Sequence, residues 1–252
     1  MTVRIGVVVF PGSNCDRDTL AGLELAGAAA VPLWHEQGTL EGVAAVVLPG
    51  GFAYGDYLRA GVIARFSPVM RAVSAFASEG GLVLGICNGF QVLAEAGLVP
   101  GALLRNRGLR FLGRDVRIAA ERVDTPFTSL AAAGRPMRMP IAHGEGCYYA
   151  DDAALDELER DGRVLFRYVD ADGRRAGAEG DPANPNGSLR AIAGVLNSRG
   201  NVAGLMPHPE RAADALLGSD DGLPILRSLV EAASRAERGG PVSAEPELVA
   251  AG

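Results

Sequence analysis

Lysine is absent from this chain of 252 residues, and all 24 of its Lys-or-Arg positions are arginine. The absence excludes chemistry built on a lysine ammonium. A P-loop needs its Lys on the β- and γ-phosphates, and a pyridoxal enzyme needs a Schiff-base Lys. Cysteine is scarce as well. Cys15, Cys87 and Cys147 form an odd set with no CxxC pair, so neither a disulfide framework nor a zinc or other metal site is expected. So sparse a set fits a reducing compartment. No apolar run approaches the roughly 20 residues that span a bilayer. The opening MTVRIGVVVF lacks the length and cleavage pattern of a signal peptide, and a cytoplasmic protein is expected. Acidic residues outnumber basic ones by 30 to 24, for a net charge of −6, which argues against an extended basic face for nucleic acid. The local run Arg105, Arg107, Arg110, Arg114 and Arg117 reads first as a solvated face and second as a docking patch.

What is present is a globular composition, 48% hydrophobic and 21% charged, with 34 glycines that follow no triplet period. Short apolar runs alternate with helical spacing. Val3–Phe10, Ala30–Trp34, Val43–Leu48 and Leu82–Ile86 read as strands. Between and after them, Asn14–Ala26 (capped by Ser13 or Asn14), Ser67–Ala77 (capped by Ser67, with Pro68 in the first turn) and Gly89–Ala96 read as helices. Strands apolar on both faces and separated by helices predict an α/β fold, a mostly parallel central sheet with helices on both faces. Further strands are expected at Val116–Ala119, Met137–Ile141, Val164–Val169, Ala191–Leu196 and Val202–Met206. Several are joined too briefly for helical crossovers, so some antiparallel strands are expected in the second half. Asp170–Ser188 is polar and rich in Gly, Pro and Asn, a long loop of the kind that is functional or mobile. Leu223–Ala233 reads as the last helix. Residues 1–235 read as one domain and 236–252 as a flexible tail.

Three strand ends carry reactive residue types. Gly85-Ile86-Cys87-Asn88-Gly89 lies between an apolar strand and a helix, the nucleophile-elbow pattern with Cys in the Ser position. Small neighbours let the sharp turn close, the helix N-terminus favours thiolate, and the Asn88 N–H points to where an oxyanion would form. Met206-Pro207-His208-Pro209-Glu210 follows another apolar strand. His208 is one of three histidines and a candidate base, and Glu210 could hold its tautomer. Pro49-Gly50-Gly51-Phe52 follows a third strand, where glycine lets backbone N–H groups approach a ligand oxygen. Side by side at the carboxyl edge of a doubly wound sheet, the three would supply nucleophile, base and oxyanion donors for acyl transfer through a thioester. Taken singly, each also fits a structural Cys, a loop His or a plain Gly turn. His35 reads as a strand-end residue and Cys15 as structural, near a helix start.

With these motifs in place the chain resembles the class I (triad) glutamine amidotransferases, which share a flavodoxin-like fold. The likeness runs from Val3 to about Ser228. It is carried by the elbow and by PGSNCD from Pro11, GGFAYGDYLRAG from Gly50, Asn106-Arg107, HGEG from His143, NPNGS from Asn184 and MPHPER from Met206. The resemblance implies that Cys87 attacks the side-chain amide of L-glutamine, that His208 moves the proton and that Glu210 orients it. It implies oxyanion and substrate contacts at Gly50, Gly51, Phe52 and Asn88. Gln91 would meet the amino-acid end of glutamine, and His143, Gly144 and Glu145 would close the pocket. It implies no cofactor in this chain. Ammonia would pass to a separate synthetase subunit that uses ATP with Mg in purine biosynthesis, in an assembly with a small bridging subunit. Another amidotransferase of the same architecture, a Cys–His hydrolase of the peptidase type and a non-catalytic binding module remain as alternatives from the residues alone.

Overall fold

The computed structural model describes residues 2–177 and 180–240. β1 (Arg4–Val9) leads through α1 (Asp16–Leu25) to β2 (Ala29–Trp34), and β3 (Ala45–Leu48) leads through α2 (Pro68–Ser78) to β4 (Leu82–Ile86) and α3 (Asn88–Glu95). Then come β5 (Ala102–Leu104), β6 (Leu112–Ala120), β7 (Met137–His143), β8 (Cys147–Tyr149), α4 (Asp152–Arg160), β9 (Val164–Tyr168), β10 (Ile192–Leu196), β11 (Val202–Leu205) and α5 (Leu223–Glu237). The main sheet has nine strands in the order β2-β1-β3-β4-β11-β10-β9-β6-β7, and β5 pairs with β8 in a small ribbon. Neighbours from β2 to β11 are parallel, and the ladders from β11 to β7 are antiparallel. Consequently β10 and β6 oppose the direction of all the others, and the sheet is the mostly parallel one expected.

The burial pattern explains the layout. Every residue of β3, β4, β10 and β11 is buried, as in strands covered on both faces. At the edges, β2 carries Pro32 and exposed positions, and β7 alternates buried and half-buried residues around Pro140. Edge strands tolerate proline because one row of N–H groups has no ladder partner. The chain moves from β1 to β2 in one direction and from β3 to β4 in the other. Right-handed crossovers therefore put α1 and α2 on opposite faces. The reversal between β1 and β3 opens a crevice at the carboxyl ends of the strands. No helix among the described residues is long and apolar enough to cross a membrane.

The structure departs from expectation in several places. The first helix begins at Asp16 with Cys15 at its N-cap position, not Ser13 or Asn14, because Ser13 Oγ instead accepts from the Phe10 N–H at 3.1 Å. Ser67 does sit at the N-cap of α2, but its hydroxyl bonds Tyr54 rather than the helix. α4 is an addition to the expected elements. It buries only Leu155 and Leu158, and Asp151 caps it by accepting from Ala154 N at 2.8 Å. Three-residue β5 and β8 are too short for any period to show. α5 continues to Glu237, past the expected end of the body, and residues 241–252 of the expected tail lie outside those described.

The helix α3 can sit against the sheet only because of glycine. A Cβ on Gly89 would collide with the carbonyl oxygen of Leu48, and one on Gly85 would lie 2.7 Å from the Gly89 carbonyl oxygen. Gly89→Ala should therefore lower the melting temperature by about 4–8 °C, the shift for roughly 2 kcal/mol of overpacking in a domain of this size. A calorimetric melt matching the parent would contradict this account.

Candidate active site

Cys87 stands at the junction of β4 and α3 with φ 49° and ψ −106°. A residue with a Cβ holds that conformation only where its surroundings impose it. Here the Cys87 N–H donates to Leu205 O at 2.8 Å and its carbonyl accepts from Gln91 N at 3.2 Å. The thiol is 3% exposed and lies 3.8 Å from the Ala142 carbonyl oxygen of β7. As the first residue of α3, Asn88 has a backbone N–H with no intrahelical acceptor.

His208 lies just beyond β11, the neighbour of β4, and its N–H donates to Pro140 O at 2.9 Å. Its Nδ1 donates to Glu210 Oε1 at 2.6 Å, and both side chains are buried. Nε2 makes no hydrogen bond of ordinary geometry among the described residues, which leaves that nitrogen for a thiol or a substrate. Burial by itself lowers the His208 pKa. Glu210, reinforced by the neighbouring sulfurs of Cys87 and Cys15, outweighs it and holds the imidazole well above the usual histidine range.

The end of β3 completes the group. A Cβ on Gly50 would lie 2.6 Å from His208 Cε1 and 3.1 Å from Cys15 Sγ. Gly51 has φ 146°, and a Cβ there would lie 2.6 Å from Asn14 N. One glycine thus admits the imidazole and the other admits the loop after β1. The Phe52 N–H is already donated to Gly12 O at 2.9 Å. Phe52 contributes instead an exposed ring, 6.4 Å from that of Phe111.

The remaining expected residues form the surrounding wall. Gln91 Nε2 donates to the Glu145 carbonyl, and its Oε1 accepts from Asn88 Nδ2 at 2.9 Å. Asn88 Nδ2 also reaches Asp56 Oδ1 at 3.2 Å. Partial burial, with Glu145 adding repulsion, pushes the Asp56 carboxyl up to about 6. Glu145 Oε2 accepts from Ala60 N at 3.4 Å. The Gly144 carbonyl accepts from Asn106 N at 2.8 Å. His143 Nδ1 donates to Asn106 Oδ1 at 2.9 Å, while its Nε2 has no partner among the described residues. Burial, with His208 nearby, depresses the His143 pKa to about 3. In the loop after Gly51, Arg59 pairs with Glu95 at 2.5 and 2.7 Å, whereas Tyr57 and Leu58 are exposed by 74% and 93%.

Two arrangements are not legible in the sequence motifs themselves. Cys15 Sγ accepts from the Arg211 guanidinium at 3.1 Å and sits with His208 and Glu210 in one buried group whose ligand atoms lie within 4.8 Å of one another. Those atoms could in principle hold a metal ion, but the His208–Glu210 bond and the adjacent Arg211 cation already engage them and oppose a second positive charge. Asn106 and the NPNGS segment prove to be the fixings of HGEG. Asn106 Oδ1 accepts from Gly146 N at 3.0 Å, Asn186 Nδ2 donates to Gly146 O at 2.8 Å, and Ser188 Oγ accepts from Tyr148 N at 3.0 Å. The far part of the long polar loop is therefore buried structure. A cavity of about 460 Å³ lined by Ser74, Arg163, Asn197 and Arg199 lies at the amino end of β11, remote from this chemistry.

A cysteine at a strand-to-helix elbow and a carboxylate-held histidine just beyond the adjacent strand, on a sheet whose order begins 2-1-3-4, are the residue types that acyl transfer through a thioester needs on a doubly wound α/β fold. Residues 2–220 match the family model described as the CobB/CobQ-like glutamine amidotransferase domain, and the chain belongs to this glutamine amidotransferase family. It is 58% identical to phosphoribosylformylglycinamidine synthase subunit PurQ of Rubrobacter xylanophilus, over 92% of this chain and 99% of that one. It is 53% identical to the PurQ protein of Thermus thermophilus, over 92% and 100%. A chain in the structure of PurLQS from Thermotoga maritima superposes with a TM-score of 0.80 at 42% identity, covering 92% of this chain and 99% of that one. A GMP synthase-type protein from Thermoplasma acidophilum, 14% identical with a TM-score of 0.59 over 94% and 97%, shares the fold.

The His143 imidazole should stay neutral in the folded protein far below the pH at which an unfolded histidine titrates. The unfolded chain gains that proton near pH 6.5 and the folded one near 3, so this residue erodes stability as pH falls through that window. Imidazole NMR should show a fixed neutral tautomer, protonated at Nδ1, from pH 8 to about 4.5. A titration midpoint near 6.5 would refute the assignment.

Proposed function

We propose that this chain is the glutaminase subunit of a phosphoribosylformylglycinamidine synthase and that Cys87, His208 and Glu210 are its catalytic residues. The observation that carries the reading is the placement of Cys87 and the Glu210-held His208 just beyond the carboxyl ends of the adjacent strands β4 and β11, with His208 packed against Gly50. The names and near full-length coverage of the relatives support the choice of subunit.

In this reading the Cys87 sulfur, its proton already passed to His208, attacks the side-chain amide carbon of L-glutamine. The carbonyl electron pair moves onto oxygen, where the N–H groups of Gly51 and Asn88 receive it. Collapse expels ammonia, which takes its proton from His208, and leaves a glutamyl thioester. Water then attacks, His208 accepts its proton, and glutamate leaves as the thiol re-forms. Glu210 keeps Nε2 facing the chemistry throughout. Gln91 and the His143, Gly144 and Glu145 segment contact the amino-acid end of glutamine. Residues 1–235 act as one amidotransferase domain in the cytoplasm.

Ammonia passes to a synthetase subunit that uses ATP, with Mg, to convert formylglycinamide ribonucleotide to formylglycinamidine ribonucleotide in purine biosynthesis. A small bridging subunit joins the assembly. Exposed Tyr57, Leu58 and Phe52 beside the site suit such a docking face.

In the reconstituted complex, Cys87→Ser should lower glutamine-driven synthesis by roughly 10³-fold or more, the scale on which losing a nucleophile acts. Ammonia-driven synthesis should persist, since only amide cleavage needs the sulfur. Equal loss of both rates would overturn the role given to Cys87. A glutamine-directed electrophile should label Cys87 ahead of Cys15 and Cys147.

A further inference from the structure

The loop that follows Gly51 is held in an unfavourable backbone shape by a contact lying outside the triad. Tyr54, Gly55, Asp56 and Leu58 have φ values of 55°, 68°, 52° and 71°. For residues carrying a Cβ this left-handed region is unfavourable and persists only under outside constraint. Tyr54 is the residue best placed to supply it. Its hydroxyl lies 2.8 Å from His35 Nδ1 and 2.9 Å from Ser67 Oγ. Its ring meets that of His35 edge-on, at 5.6 Å and 89°.

Both partners of the hydroxyl are themselves immobilised. The His35 N–H donates to Val9 O at 3.1 Å and its carbonyl accepts from Val69 N at 3.1 Å. His35 and Ser67 are 8% and 4% exposed. The Tyr54 hydroxyl is thus fastened to the end of β2 and the start of α2. On the other side, the loop is tied to the nucleophile's neighbour, because Ala53 N donates to Asn88 Oδ1 at 3.0 Å. Gly51, one proposed oxyanion donor, is three residues before Tyr54, and Asn88 is the other.

We propose that His35, Tyr54 and Ser67 form a clamp of positioning residues that keeps the loop after Gly51 in its left-handed shape and so sets the spacing between the two oxyanion donors. The proposal rests on the glutaminase reading above. Its action is on the transition state. The clamp touches neither the sulfur nor the amino-acid end of the substrate, so releasing it should leave substrate affinity and thiol reactivity as they are.

The test is kinetic, on the full chain in complex with its synthetase. Tyr54→Phe keeps the ring and removes the hydroxyl. It should reduce glutaminase kcat about tenfold, with KM for glutamine within twofold of the parent. Alkylation of Cys87 by iodoacetamide, which needs no oxyanion site, should proceed at the parental rate. Ser67→Ala, which removes one of the two bonds, should give a smaller loss. His35→Gln, which keeps a hydrogen-bonding side chain, should retain more activity than His35→Phe. Should Tyr54→Phe fail to fold, the Ser67→Ala and His35 comparisons decide alone. Parental kcat in all the folded variants would overturn the clamp, as would a parallel fall in kcat and alkylation rate. A parent chain with no glutaminase activity in the complex would instead overturn the reading on which the clamp rests.

Discussion

The His208 imidazole lies against the backbone of Gly50 so closely that a Cβ there would sit 2.6 Å from its ring. Much of the surrounding architecture follows from that contact. It requires glycine at the end of β3, and it draws the segment after β11 across the end of β4 toward β3. Cys15, at the start of α1, enters the same buried group because the Gly50 backbone leaves room for its sulfur too. The Glu210 carboxylate has to be buried with the imidazole. An isolated charge in that position would be costly, and the short bond to Nδ1 offsets the loss of water.

Around this pair, rigidity comes from polar side chains that bond backbone. Asn106 holds the ends of HGEG together, and Asn186 and Ser188 reach the same segment from a loop far along the chain. Asn88 does similar work on the other wall, bonding Ala53, Asp56 and Gln91 at once. Each of these asparagines is buried with its amide satisfied on both the donor and the acceptor side, which is how a buried polar group avoids a desolvation penalty. The result is a pocket whose loops are fixed although they carry little regular structure.

The parallel strands are legible in the sequence because burial on both faces requires continuous apolar runs, as in Ala45–Leu48 and Leu82–Ile86. The elbow is legible for a related reason. A turn that tight excludes all but small neighbours, so its glycines mark the chain around Cys87. Where the signal is weak, the reason is local. The helix at 152–160 buries two leucines, and the ribbon strands at 102–104 and 147–149 have three residues each, too few for an alternation to show. Cys15 and Asn106 lie in motifs that the sequence displays, but what they hold is not legible there, since Arg211 and the 143–146 segment lie far away in the chain.

Residue type alone set the chemistry available to this protein: no lysine, three thiols, three imidazoles, and glycines at the ends of apolar strands. Those limits are composition and short-range sterics, which do not depend on the rest of the chain. Which sulfur meets which imidazole was decided only in three dimensions. The order β3-β4-β11 joins residues 50, 87 and 208; against the lowering effect of burial, Glu210 and two sulfurs hold the His208 pKa up, while burial depresses that of His143. Distance and desolvation, the quantities that turn a side chain into a base or a bystander, exist only once the chain has folded.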